Sequence, residues 1–194
     1  IEPILGYGIG MEQPTASDMT IRDNVFYGGI FEFWDHRDEW LKQRGDYGAM
    51  HRPYAIFVAG QGHDIAYNTV YGWHDGIDIS TYAPPPADPR LRTCSVDMHH
   101  NFITGMNDDG MELEPGPCNI IVRENRFTRN FMAISFQATY GGPNYILRNV
   151  IDDIDHLPFK HVHNSAGTVM YHNTVFTDGA IWLSSDAKNG RFMN

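Results

Sequence analysis

Four asparagines, Asn101, Asn125, Asn149 and Asn173, recur at intervals of 24 residues. Each closes a short run in which apolar and polar residues alternate: "DMHHN", "IVREN", "YILRN" and "VMYHN". Two earlier runs close the same way, "TIRDN" at Asn24 and "DIAYN" at Asn68. A fixed period in this range marks a solenoid of stacked, self-similar units. Alternation with period two builds the unit from strands rather than helices. One asparagine is only a common turn residue. Three equal intervals in succession ask for a shared structural cause.

A unit of this length with two or three short strands suits a right-handed parallel β-helix, whose coils stack about 4.8 Å apart. The expected fold is therefore all-β, with about six coils. At a tight bend asparagine tolerates the left-handed conformation. Its side-chain amide can also bond the asparagines above and below, giving an asparagine ladder. The longer intervals, 44 residues before Asn68 and 33 before Asn101, read as loop insertions near residues 31–53 and 81–92. The second contains "TYAPPPADPRLR", too rich in proline to be strand. With 194 residues, 42% of them hydrophobic, one domain over 1–194 is expected. The chain opens at Ile1 without an initiator methionine, and is read as a mature secreted or periplasmic form, or as an excerpt of a larger protein or assembly. The net charge of −10 argues against nucleic acid and against an anionic membrane as partner. No apolar run reaches the roughly 20 residues of a membrane span.

A second strand follows most asparagines, and aligning these strands gives a register. Ile77, Met111, Ile134, Phe159 and Ile181 form one inward column; Ile79, Leu113, Phe136, His161 and Leu183 form the next. Alternation then turns Asp78, Glu112, Ser135, Lys160 and Trp182 outward, followed by Ser80, Glu114, Gln137, Val162 and Ser184. Asp75, Asp108 and Asp109 stand at the turns leading into two of these strands. Six carboxylates thus converge on one outer patch, although like charges this close repel. A hard cation such as Ca²⁺, which takes six to eight oxygens, is one reason for such a patch. Glycoside hydrolysis, which needs a carboxyl pair with one member kept protonated, is another. A solvated acidic face is the plain alternative.

The repeat from about Asn24 to Leu183 resembles the β-helix superfamily of pectate, alginate and chondroitin lyases and polygalacturonases. "HDGIDI" followed one coil later by "NDDGMEL" is similar to the polygalacturonase signature, which implies catalytic roles for Asp75, Asp108 and Asp109. That family's next elements, a Gly-His-Gly and an Arg-Ile-Lys, are replaced by "FMAIS" and at best echoed by "PFKHV". Glu112 and Glu114 resemble the Glu-x-Glu pair of the calcium-dependent lyases. This resemblance implies Ca²⁺ held by Glu112, Glu114 and Asp78, with Lys160 as base for β-elimination on a uronate-containing polysaccharide. Those lyases keep their lysine soon after the pair, whereas here Asn119 stands in that region. The expected activity is calcium-assisted β-elimination; the alternatives are hydrolysis and a non-catalytic, carbohydrate-binding or structural solenoid.

Gln137 in the outer column and His163 near Lys160 are further candidate substrate contacts. Trp73, Tyr82, Tyr140 and Trp182 are read either as stacking platforms for sugar rings or as packing between coils. His161 and His163 share one face, but the register turns His161 inward, so a core histidine is favoured over a transition-metal ligand. Cys94 and Cys118 lie 24 residues apart, each seven before its asparagine. One coil of separation puts their Cα atoms about 5 Å apart, within disulfide range in an oxidising compartment.

Overall fold

The computed structural model describes residues 7–28, 54–79, 86–114, 118–139, 141–184 and 191–193. The first coil consists of β1 (Tyr7–Met11), β2 (Thr20–Arg22) and β3 (Val25–Tyr27). The second is β4 (Tyr54–Val58), β5 (Asp64–Ala66) and β6 (Thr69–Tyr71); the third is β7 (Asp75–Asp78), β8 (Cys94–His99) and β9 (Phe102–Thr104). The fourth begins with β10 (Asp109–Glu112) and β11 (Cys118–Arg123), then enters the long β12 (Arg126–Phe136). β12 bends round a corner into the fifth coil, followed by β13 (Asn144–Leu147) and the equally continuous β14 (Val150–His161). β15 (Thr168–Tyr171), β16 (Thr174–Val175), β17 (Trp182–Ser184) and β18 (Arg191–Met193) complete the described chain.

Every strand pairs in parallel with the strand one coil away, which makes three sheet faces around one core. The site face stacks β1, β4, β7, β10, the second half of β12, the second half of β14, and β17. This is an all-β, right-handed parallel β-helix, one level deeper than the asparagines alone mark. Ile56, Ile77, Met111, Ile134, Val96, Val122, Ile103, Phe127 and Ile151 fill its interior. The 31–53 insertion lies outside the described residues, as do 81–85 of the second one. The remainder of that loop forms a 3₁₀ turn, Pro89–Leu91, capped by Asp88.

The ladder is continuous. From Asn24 to Asn149, each Nδ2 donates to Oδ1 of the asparagine one coil on, ending at Asn173, at 3.0–3.1 Å. The same oxygen accepts the backbone N–H of the earlier asparagine at 2.9–3.1 Å. Nδ2 also reaches a strand carbonyl one coil back, as Asn125 does to Met98. Asn68, Asn101, Asn125 and Asn149 are buried, and the terminal Asn173 is half-buried. One expectation changes. The left-handed residue is the one before each asparagine: Asp23, Tyr67, His100, Glu124, Arg148 and His172 have φ between 51° and 58°. Asparagine is required for its amide, not for its backbone.

The register of the last strand also changes. Phe159 pairs with Trp182, not Ile181. Trp182 therefore turns inward, packs against the core and stacks on His161 at 4.7 Å, while Ile181 is exposed. His161 is an interior histidine as expected, its Nε2 3.1 Å from Thr168 Oγ1. Cys94 and Cys118 are paired neighbours with Cα atoms 4.9 Å apart, and form a disulfide.

Candidate functional site

The two "DG" steps set the floor of the site. Asp75 and Asp109 open β7 and β10, followed by Gly76 and Gly110. A Cβ on Gly76 would lie 2.3 Å from the Gly110 carbonyl oxygen, and one on Gly110 2.6 Å from that of Ala133. Neither glycine has a positive φ, so the demand is for space. The glycines let three coils stack closely here, which places the acids beside them in a column.

The loops before these strands are in step. Asn107 N–H donates to the Trp73 carbonyl at 3.1 Å and Asp108 N–H to that of His74 at 2.8 Å. Asp109 N–H then donates to the Asp75 carboxylate at 3.0 Å. Oxygens of Asp75, Asp108 and Asp109 all lie within 4.8 Å of one another, and all three residues are buried. These are the residues expected from the hydrolase resemblance.

Further along the face, the outer column is as expected: Asp78 pairs with Glu112, Glu112 with Ser135, and Ser135 with Lys160. Lys160 reaches back across Ser135 to the fourth coil, where Nζ meets Asp109 Oδ2 at 2.5 Å. A small residue at 135 leaves room for the lysine to cross. The Ser135 hydroxyl turns aside to Glu114, donating at 2.5 Å to Oε1, which also accepts Gln137 N–H at 3.0 Å. Glu114 Oε2 is buried and has no hydrogen-bond partner among the described residues.

Burial dominates the electrostatics. It lifts the Asp75 carboxyl from 3.8 to about 6, with His74 opposing and Asp108 and Asp109 adding to the rise. Burial lifts Glu114 from 4.5 to about 7, partly offset by Lys160 and by the Ser135 hydrogen bond. Glu112 is raised well above its usual range by burial and by Asp75, Asp78, Glu114 and Asp109. For Lys160 burial pulls downward, but Asp109, Asp108 and Glu114 outweigh it and hold the ammonium charged. A lysine so held is a poor proton acceptor, which counts against the base role implied by the lyase resemblance.

The sequence-derived site thus divides. Asp75, Asp108, Asp109 and Lys160 come together. Among the described residues, the three-carboxylate group close enough to share a cation is Asp75, Asp108 and Asp109, rather than Asp78, Glu112 and Glu114. Gln137 is exposed just beyond the face, and His163 is exposed in the turn after β14 with φ 56°. Trp182 does not face the site; Tyr140 lies outside the described residues. Two residues that sequence reasoning passed over stand at the corner: buried His74 and Asn107, whose Nδ1 and Nδ2 have no hydrogen-bond partner among the described residues. Their signal was position, each directly preceding an acid of the group.

No curated protein matches the chain, and no solved structure does. The family model described as the right-handed beta helix region matches residues 49–192. That match covers most of the chain and agrees with the parallel three-faced coil, so the chain belongs to the right-handed β-helix family.

Proposed function

We propose that this face cleaves a polysaccharide by hydrolysis, with Asp75, Asp108 and Asp109 as the acid–base group. The observation that carries the reading is the three-carboxylate group with the Lys160 ammonium on one member. Two environments within one group divide the roles. Asp75, buried and raised to about 6, keeps its proton in mildly acidic solution and there supplies the acid that protonates the leaving glycosidic oxygen. Asp109, bound to Lys160, is the carboxylate that takes a proton from water as the water oxygen bonds the anomeric carbon. The glycosidic C–O bond breaks, and the leaving sugar departs as an alcohol. The disulfide suits an oxidising, secreted or periplasmic setting. Among the described residues, no helix is long and apolar enough to cross a membrane.

The test is a polysaccharide panel assayed for new reducing ends and for enoate absorbance, with and without chelator. Hydrolysis predicts reducing ends, no enoate band and no effect of chelation, with Asp109→Asn lowering turnover about 10²–10⁴-fold. An enoate band would restore β-elimination. A second reading has its own observation. Oxygens within 4.8 Å of one another fit around one hard cation with ligand distances of about 2.3–2.6 Å. Ca²⁺ would then be held by Asp75, Asp108 and Asp109, supplying charge neutralisation, and chelation would abolish activity.

A further inference from the structure

Away from the site face, two adjacent histidines meet at the corner that leads into the ladder. His99 ends β8 and His100 follows it in the turn. Their Nδ1 atoms stand 2.8 Å apart, with the rings nearly perpendicular. Each ring turns its other nitrogen to a carboxylate on a neighbouring coil. His99 Nε2 lies 2.9 Å from Asp64 Oδ1, one coil back, and His100 Nε2 lies 3.5 Å from Glu124 Oε2, one coil on. An ionised carboxylate only accepts, so the hydrogen of each ring belongs on Nε2. That leaves two Nδ1 lone pairs facing each other, and something positive has to lie between them. The rings are also held in place. Tyr67 stacks on His100 at 4.7 Å, Arg22 lies over Tyr67 at 5.0 Å, and Arg123 binds the same Glu124 oxygen at 2.8 Å. The His99 side chain is 12% exposed and that of His100 38%, so the pair borders solvent on the His100 side.

We infer that His99 Nδ1 and His100 Nδ1 form a binding site for a divalent transition metal ion, with Cu²⁺ the best fit. Metal-bound histidines commonly give their second N–H to a carboxylate, which fixes tautomer and ring orientation, and here both rings do so. The distance selects the geometry. With metal–nitrogen bonds of about 2.0–2.1 Å, a right-angled pair of nitrogens stands about 2.9 Å apart and a tetrahedral pair about 3.3 Å apart. The observed 2.8 Å matches the tetragonal arrangement of Cu²⁺ and is short for the tetrahedral one of Zn²⁺. Water completes the coordination from the exposed side of His100. The arginines nearby do not forbid a cation, because Arg22 and Arg123 are outnumbered by Asp64, Asp97 and Glu124, with which they pair. The site is independent of the glycan reading of the site face.

The test is titration of the full chain with Cu²⁺ at neutral pH, followed by electron paramagnetic resonance and calorimetry. The first equivalent should give an axial spectrum with coupling to two imidazole nitrogens, a reading that needs no variant. His99→Gln should remove the two-nitrogen signal. So should His100→Asn, which suits the left-handed backbone there, with φ 54°. Asp64→Ala removes no ligand atom, yet should weaken binding about 10–100-fold, because it frees the ring that Asp64 orients. Copper held by oxygens alone, as the Asp75 group would hold it, overturns the inference. So does a two-nitrogen signal that survives both histidine substitutions, or an affinity unchanged in Asp64→Ala. If the unaltered chain takes up no copper, the two nitrogens share a proton only, and the inference fails.

Discussion

Lys160 and Asp109 stand 51 residues apart, yet their charged atoms are in direct contact on a buried face. Both are taken out of water, so each depends on the other. Lys160→Met should therefore destabilise the fold by about 3–5 kcal/mol, because it leaves a buried carboxylate without its cation. Lys160→Met combined with Asp109→Asn should recover much of that loss, and urea unfolding of the four-member cycle measures the coupling. Additive losses would mean that the pair contributes no coupling. Both residues were legible as site candidates from their place beside the acidic turn and in the outer column. Their pairing was not. Asp109 opens its strand at a corner, where alternation no longer fixes side-chain direction, and Lys160 passes over a whole coil to reach it.

Strands and turns were legible wherever one chemical demand repeats. The asparagine column is such a case, since each amide serves the coils on both sides. Asn125→Ala strips the acceptor from Asn101 N–H and Nδ2 and the donor from the Met98 carbonyl. Leaving such groups unpaired costs about 1–3 kcal/mol each, so a loss of several kcal/mol is expected in urea unfolding. A loss below about 1 kcal/mol would show that water replaces the ladder. Gly110→Ala tests the other repeated element. Its Cβ would stand 2.6 Å from the Ala133 carbonyl oxygen and 2.9 Å from Phe127. Overpacking of this kind costs about 1–3 kcal/mol, and here it also shifts Asp109, so activity should fall more than stability alone explains. β17 marks where legibility ends. "AIWLS" offers two apolar frames, Ile181 with Leu183 or Trp182 alone, and a one-residue slip turns every side chain to the other face. The larger ring took the interior, against His161.

At the scale of the whole molecule, the 24-residue period was enough to specify the coil, because each coil contacts only its neighbours. It was not enough to say that six acids facing outward would be buried, and that burial governs how stability depends on pH. The free carboxyls of an unfolded chain ionise near 3.8 for Asp75 and 4.5 for Glu114, whereas in the fold they hold their protons to about 6 and about 7. Between those limits the folded state binds more protons than the unfolded one, so its stability falls as pH rises. The stabilisation is fully present below about pH 4 and is lost as pH rises through about 7, on the order of 3 kcal/mol for each group taken alone. His161 acts in the opposite sense: burial lowers it from 6.5 to about 4, so its contribution is present above 6.5 and is lost as pH falls through 4. Where the windows overlap, the two carboxyls outweigh the one histidine, so the net trend is a decline in stability as pH rises, with His161 making it shallower. Urea midpoints measured from pH 4 to 8 should therefore fall toward 8, and Asp75→Asn should flatten the decline. If a divalent cation is held by Asp75, Asp108 and Asp109, it binds the ionised form and competes with the protons. Added Ca²⁺ should then raise the midpoint at pH 8 far more than at pH 5, whereas under metal-free hydrolysis the alkaline decline should persist unchanged at any Ca²⁺ concentration.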